Sequence, residues 1–257
     1  MILRSSPRRL AAWLAIVWLG CSACADAAEL LVSAAASLTN AFKDIGSAFE
    51  QTETDTKVIF NFAASGPLLA QIERGAPVDV FATVDQDTMN QAAVKGLIQP
   101  DTRSDFAANQ LALVTPADSQ IPIHRPQDLT QPEVKRIAIG NPATVPIGRY
   151  TQQALTRLNL LEPLQAKFVN ADTVRQVVDY VSRGEVDAGF VFLTDALIAR
   201  DKLSQVAAAG LQPDQPIRYA IAVVAGSKQP ALAVRFIRFV TGPEGRRILS
   251  AHGFTLP

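Results

Sequence analysis

The sequence predicts an α/β fold of two lobes, each a mostly parallel sheet flanked by helices. Short apolar segments rich in β-branched and aromatic residues alternate with segments of helical periodicity. This alternation stops at a proline-rich polar stretch, 117–132, and then starts again. The chain has 257 residues, 48% of them hydrophobic, which is enough for two cores. Strands that alternate with helices pair in parallel through right-handed crossovers, so we expect the helices to cover both sheets.

Residues 1–27 have the pattern of a cleaved signal peptide. Three arginines among the first nine residues precede an apolar run, 10–19, that is too short to span a bilayer comfortably. The tripeptide 25–27 fits the small-x-small cleavage rule. We therefore expect cleavage near Ala27 and Ala28, and a periplasmic protein.

Both cysteines lie inside this leader. Cys21 follows Leu19-Gly20, which loosely resembles a lipoprotein site, although Trp18 departs from that pattern. Lipid anchoring through Cys21 is the alternative to soluble export. A chain cut after Ala27 has no thiol for a disulfide, a nucleophile or a metal site. The 24 basic and 24 acidic residues of the chain argue against a nucleic-acid binder.

The first lobe is expected to take in residues 28–109. Apolar spacing predicts three strands, each followed by a helix, at 30–32, 57–62 and 78–83. The first helix has apolar residues at i, i+3 and i+4 from Leu38 to Phe49. Asp79 and Asp85 lie near the end of the third strand, where they could bind a metal. No histidine or third carboxylate clusters with them in the sequence, which favours helix capping or solvated surface instead.

The second lobe is expected to take in residues 110–219. We interpret 110–115 as a strand that passes into this lobe and 217–224 as the return passage. Further strands are predicted at 137–140, 167–169 and 188–192, the last continuing to Ala196, with helices at about 149–158 and from Val174 to Gly184. Two helices end the chain, and we expect this tail, 220–257, to pack back on the first lobe.

Four strand-to-helix joins offer uncharged hydrogen-bond donors. They are at Ser37, at Ser65, at 146–148 and at 172–174. A helix start has unpaired backbone N–H groups and a partial positive charge, so it can hold an anion. Each serine could instead simply cap its own helix, because serine is a common N-cap residue. Arg149, beside the third join, could add a positive field or be an exposed helix arginine.

Several motifs in these segments carry a family resemblance. They are 34–41 (AAASLTNA), 62–65 (FAAS), 71–81 (QIERGAPVDVF), 138–142 with 145–148 (AIGNP, VPIG), 172–175 (DTVR) and 253–255 (GFT). The sequence resembles the periplasmic molybdate-binding proteins of ABC transporters over nearly the whole chain after the leader. The resemblance implies a two-lobed type II periplasmic binding protein fold with a hinge of two crossing strands. It also implies binding of molybdate, and of tungstate, for delivery to an ABC permease.

The same resemblance implies the site residues. The hydroxyls of Ser37 and Ser65 and the backbone N–H groups of Ile147 and Val174 would hold the tetrahedral oxyanion. Many members add a tyrosine hydroxyl where this chain has Phe192. We expect no cofactor beyond the molybdate ligand, and a monomer. Selectivity over sulfate would come from cavity size, and phosphate would be rejected because it carries a proton near neutral pH and needs an acceptor.

Three alternatives stay open from the sequence. Phe192 leaves room for another tetrahedral oxyanion, such as sulfate. A periplasmic hydrolase would need a nucleophile with a base, but His124 and His252 are far apart, and neither G-x-S-x-G nor H-E-x-x-H is present. A sensing module of a regulator is disfavoured by the export signal and by the lack of a DNA-binding segment.

Overall fold

A computed structural model describes residues 27–206 and 211–256 of the protein. Residues 1–26 lie outside the described residues, and with them nearly all of the predicted signal peptide and Cys21. Among the helices of the described residues, none has the length and apolar character needed to cross a membrane.

The described residues form ten β-strands and nine α-helices. The strands are β1 (Ala28–Ala35), β2 (Thr56–Ala63), β3 (Val80–Thr83), β4 (Ser104–Asn109), β5 (Leu111–Pro116), β6 (Ile137–Gly140), β7 (Phe168–Ala171), β8 (Ala188–Phe192), β9 (Leu203–Gln205) and β10 (Ile217–Val223). The helices are α1 (Thr39–Thr52), α2 (Ser65–Glu73), α3 (Gln86–Val94), α4 (Pro146–Arg157), α5 (Leu161–Leu164), α6 (Val174–Ser182), α7 (Leu193–Ile198), α8 (Pro230–Thr241) and α9 (Pro243–Ala251).

These strands form two five-stranded sheets, one in each lobe. The first has the order β2-β1-β3-β10-β4, and the second has the order β7-β6-β8-β5-β9. The three strands on one side of each sheet, β2-β1-β3 and β7-β6-β8, pair in parallel, whereas β10 and β5 run antiparallel to their neighbours. Because the parallel strands of a sheet end at the same edge, the helix starts that follow them gather there. This is the two-lobed type II periplasmic binding protein fold.

The chain crosses between the lobes twice. The first crossing is at Gln110, a single residue between β4 of the first sheet and β5 of the second. The return runs from the end of β9 to Ile217, and all of β10 lies in the first sheet. Helices α8 and α9 pack against α1 and β10, so the end of the chain belongs to the first lobe.

Local sequence explains most helices. In α1 the predicted apolar face is buried, with Phe42 and Ile45 fully enclosed and Phe49 in contact with Phe236 of α8. Gly75, which ends α2, has a positive φ of 83°, a backbone conformation that side chains with a Cβ rarely adopt.

Some predicted element boundaries were wrong. The strand at 188–192 does not continue to Ala196, since α7 begins at Leu193 and buries Asp195 in its first turn. The edge strands β4 and β9 were not predicted. Alanine and asparagine in β4 have little strand propensity. This segment is a strand because it pairs with β10, and that pairing stabilises it.

Candidate anion-binding cleft

One small cavity between the lobes collects the predicted site residues. Its volume is about 10 Å³, roughly the space that one water molecule needs. The first lobe contributes small or polar residues, and the second contributes two helix starts and the end of β8; the lining residues are Ala35, Ala36, Ser37, Ala64, Ser65, Val84, Val145, Pro146, Ile147, Val174 and Phe192. A larger surface hollow near Ala28 and Lys57 lies at the opposite end of the first sheet. We assign the site to the small cavity because the unpaired donors described next face it.

Ser37 does not cap a helix. It lies in a 3-10 turn, Ala36–Leu38, between β1 and α1, and Leu38 occupies the N-cap position of α1 without a side-chain hydrogen bond. The Ser37 hydroxyl oxygen lies 3.0 Å from the hydroxyl oxygen of Tyr219 in β10. The alternative that Ser37 caps its own helix therefore fails, because the chain makes an extra turn before α1 and the Ser37 hydroxyl pairs with Tyr219 instead.

Ser65 does not cap its helix either. It is the first residue of α2, and the N-cap position belongs to Ala64, which has no side-chain cap. The Ser65 hydroxyl oxygen accepts a hydrogen bond from the Val84 N–H at 3.3 Å, and Ser65 is fully buried. The capping alternative fails for both serines, whose hydroxyls lie at the cavity wall.

Two helix starts of the second lobe bring backbone donors to the same cavity. Ile147 is in the first turn of α4, behind Pro146, and Val174 begins α6. Within residues 27–206 and 211–256, neither the Ile147 N–H nor the Val174 N–H donates to another protein group. Each has the partial positive charge of its helix start behind it, so an anion between them would be stabilised.

Close backbone approach depends on glycine on both sides of the cleft. A Cβ added to Gly66 of α2 would lie 2.6 Å from the carbonyl oxygen of Thr144 in the second lobe. A Cβ added to Gly148 of α4 would overlap the carbonyl oxygen of Gly140, at the end of β6. The first glycine lets the lobes meet, and the second lets α4 start close to its strand.

An ion pair joins the lobes beside the cavity. The Arg149 Nη2 of α4 lies 3.1 Å from the Asp85 Oδ1 of the first lobe and 3.3 Å from the Thr88 hydroxyl. Asp85 also caps α3 by accepting from the Thr88 N–H at 2.8 Å. Arg149 is thus neither an exposed helix arginine nor a free cation. Its charge is paired across the cleft.

Asp79 has a structural role at the far end of β3. Its carboxylate accepts from the Leu31 N–H at 2.9 Å and from the Ser227 hydroxyl at 2.6 Å. In the described part of the chain, no three His, Cys, Asp or Glu side chains are grouped to hold a metal ion.

A second arginine, Arg175 of α6, follows the Val174 donor. Its Nη2 reaches the first lobe, 3.1 Å from the Asn40 Oδ1 and 3.5 Å from the Ser37 carbonyl oxygen. Its Nε lies 2.9 Å from the Asp195 Oδ1, close enough for an ion pair although not aligned for a hydrogen bond. Burial raises the pKa of Asp195 to about 6, and Arg175 partly opposes that rise. The nearby guanidinium favours the ionised form of the carboxylate, and the ion pair holds Arg175 beside α7.

Phe192 closes the wall of the cavity without a hydrogen-bonding group. It is 1% exposed and packs between Tyr150 and Tyr219, with ring centroids 6.5 Å and 6.2 Å away. The family resemblance implies a tyrosine hydroxyl at this position in many members. This chain has phenylalanine there and so lacks that hydroxyl.

Sequence reasoning missed the residues behind Ser37. The Tyr219 hydroxyl contacts Ser37, and the Asn109 amide contacts Tyr219 at 3.1 Å. The sequence analysis placed Asn109 at the end of the first lobe and Tyr219 in the return passage, with no role at the site. No local motif could have identified them, because 182 residues separate Ser37 from Tyr219.

Comparison with known proteins agrees with this architecture. The family described as bacterial extracellular solute-binding proteins matches residues 30–255. The molybdate-binding protein ModA of Escherichia coli (strain K12) is 35% identical over 239 residues, which cover 91% of this chain and 92% of that protein. The solved periplasmic molybdate-binding protein of Azotobacter vinelandii has a TM-score of 0.79 at 28% identity, covering 89% of this chain and 99% of that one.

A more distant solved structure shares the fold alone. The sulfate-binding protein SubI of Mycobacterium tuberculosis H37Rv has a TM-score of 0.77 at 16% identity, covering 88% of this chain and 86% of that chain. The family match and the molybdate-binding relatives both extend over nearly all of the described chain. On this evidence, the chain belongs to the family of bacterial extracellular solute-binding proteins.

Proposed function

We propose that the protein binds molybdate, and also tungstate, in the periplasm and delivers it to an ABC permease. The observation that carries this proposal is the convergence of uncharged donors from both lobes on one cavity. Two are the hydroxyls of Ser37 and Ser65, and two are the N–H groups of Ile147 and Val174. None of the described residues that line the cavity is charged.

This donor set suits a tetrahedral dianion. A hydrogen bond to a charged acceptor contributes about 1.5–3 kcal/mol net, so four of them could support binding tighter than micromolar. Helix starts add favourable dipoles without a counter-charge that would need desolvation. Arg149 and Arg175 are already paired with Asp85 and Asp195. In this proposal they help to hold the two lobes together and do not neutralise the charge of the ligand.

The proposal is tested by calorimetric titration of the purified protein with molybdate, tungstate, sulfate and phosphate. Heat is the right signal, because both tryptophans, Trp13 and Trp18, lie in the predicted leader. We expect molybdate and tungstate to bind at least about a hundredfold more tightly than sulfate, and phosphate not to compete. Sulfate binding as tight as molybdate binding would overturn the molybdate assignment.

A second candidate ligand is a different tetrahedral oxyanion, such as sulfate. Phe192 favours it, since the cavity has one donor fewer than the family resemblance implies. The same titration decides between molybdate and sulfate, because the two candidates predict opposite orders of affinity for these anions.

The geometry favours binding over hydrolysis. The neighbours of the two serine hydroxyls are a tyrosine hydroxyl and a backbone N–H, neither of which can act as a general base at neutral pH. His252 pairs with Asp44 on the surface at 2.8 Å, and His124 is exposed. Neither histidine lines the cavity.

Replacing Phe192 by tyrosine is expected to tighten molybdate binding by about tenfold, because it restores one charge-assisted hydrogen bond. Calorimetry of Phe192→Tyr against wild type measures the effect. Phe62→Tyr on β2, a residue that does not line the cavity, is the matched control and should leave the affinity unchanged. An unchanged affinity in Phe192→Tyr would mean that another donor already fills that place.

A further inference from the structure

A chain of hydrogen bonds runs from Ser37 to two residues, Tyr219 and Asn109, that do not line the cavity. The Asn109 Nδ2 lies 3.1 Å from the Tyr219 hydroxyl oxygen, which lies 3.0 Å from the Ser37 hydroxyl oxygen. Tyr219 and Ser37 are 0% and 3% exposed, so bulk water does not compete for these bonds. Asn109 is the last residue of β4, at the first crossing between the lobes.

The direction of this chain follows from the Asn109 amide. Its Oδ1 accepts from the Gln110 N–H at 2.9 Å, which identifies the other side of the amide as the NH₂ group. That NH₂ donates one hydrogen to the Thr194 hydroxyl at 2.9 Å and one to the Tyr219 hydroxyl oxygen. Among the described residues the Tyr219 hydroxyl has two partners, Asn109, which donates to it, and Ser37, so the buried Tyr219 proton finds its acceptor in the Ser37 oxygen.

Tyr219 retains that proton at any physiological pH, because burial raises the pKa of its hydroxyl above the usual value. The Ser37 hydroxyl oxygen therefore accepts from Tyr219 and cannot donate back to it. The Ser37 proton is left for the cavity. The Ser65 hydroxyl is oriented in the same way. Its oxygen accepts from the Val84 N–H, so its proton is also left for the cavity.

We propose that Asn109 and Tyr219 are positioning residues that hold Ser37 as a donor and thereby select oxyanions that carry no proton. This inference rests on the proposed function and adds the origin of its selectivity. A protonated oxyanion must place an O–H against some group of the cavity. With both serine hydroxyls presenting hydrogen, that O–H finds no ready acceptor, and an unpaired buried donor is costly.

The test compares anions of equal charge that differ in a proton. Molybdate and tungstate carry none, whereas arsenate, also tetrahedral, is a dianion with one proton when the titration is run above neutral pH. Tyr219→Phe removes the hydroxyl and keeps the ring between Phe106 and Phe254. Asn109→Asp keeps the shape and reverses the chain, because an aspartate oxygen accepts from Tyr219 and turns the Ser37 proton away from the cavity. Tyr180→Phe is the control, because it removes a tyrosine hydroxyl whose hydrogen-bond partner in the described part of the chain is Gln176.

Affinities for molybdate, tungstate and arsenate are measured by calorimetry, with arsenate also assayed by competition at a fixed pH. In both Tyr219→Phe and Asn109→Asp, the ratio of arsenate to molybdate affinity should rise by about tenfold, the value of one hydrogen bond. The added charge of Asn109→Asp weakens both dianions and cancels in the ratio. Tyr180→Phe should keep the wild-type ratio.

Equal losses for all three anions would overturn the proposal, because they would show that Tyr219 and Asn109 only support the fold. An unchanged affinity for every anion would overturn it as well. A wild-type protein that binds none of the three would instead refute the proposed function. The two failures are therefore distinguishable.

Discussion

Gly66→Ala is expected to weaken molybdate binding by about 3 kcal/mol, roughly 150-fold, since overpacking against backbone costs on that order. The added Cβ would lie 2.6 Å from the Thr144 carbonyl oxygen of the opposite lobe. That oxygen belongs to backbone and cannot rotate away as a flexible side chain would. The lobes would have to stay apart, and Ile147 and Val174 would no longer reach the same anion as Ser65.

Calorimetry measures the affinity of this variant, and thermal unfolding without ligand measures its stability. Within α2 alanine has the higher helix propensity, so the stability of the ligand-free protein should not fall. Gly226→Ala is the matched control, because a Cβ there meets nothing within 4 Å. Molybdate affinity within twofold of wild type in Gly66→Ala would show that binding does not need this approach of the lobes.

The second large effect is expected at the two serines. Ser37→Ala and Ser65→Ala should each weaken molybdate binding by about 1–3 kcal/mol, because a charged oxygen loses its hydrogen bond inside a dry cavity. Each change also leaves a protein donor without its acceptor, the Tyr219 hydroxyl in one case and the Val84 N–H in the other. A small loss of stability should accompany the loss of affinity.

Calorimetric titration of both variants and of the double variant tests this expectation. Ser33→Ala is the control, since Ser33, in β1, is likewise a buried serine but does not line the cavity. The double variant should bind more weakly than either single variant. If both single variants keep the wild-type affinity, the serine hydroxyls do not contact the ligand.

Local patterns were sufficient for most elements of the fold. The apolar face of α1, the strand at 57–62 and the helix beginning at Val174 lie where their periodicity places them. These signals act over a few residues, so the sequence alone exposes them. The weak edge strands β4 and β9 escaped notice, because their pairing partners are distant in the chain.

The positions of the candidate site residues could be predicted, but their surroundings could not. Strand-to-helix joins identify Ser37, Ser65 and the segments 146–148 and 172–174, because parallel strands end at a common edge. The family resemblance then implies Ile147 and Val174 within the last two segments. Whether a serine hydroxyl caps its own helix or faces a cavity depends on what packs beside it. Tyr219 beside Ser37 and Val84 beside Ser65 decide that question.

The sequence by itself determined the α/β class, the order of the β-α units and the donor-bearing joins, since each follows from side-chain periodicity and backbone chemistry over a few residues. Only the tertiary structure decided that the joins face one another, that Arg149 and Arg175 reach across the cleft, and that Asn109 and Tyr219 orient Ser37. These contacts link residues 61 to 182 positions apart. Their formation depends on how two separately folded sheets dock, which no local pattern specifies.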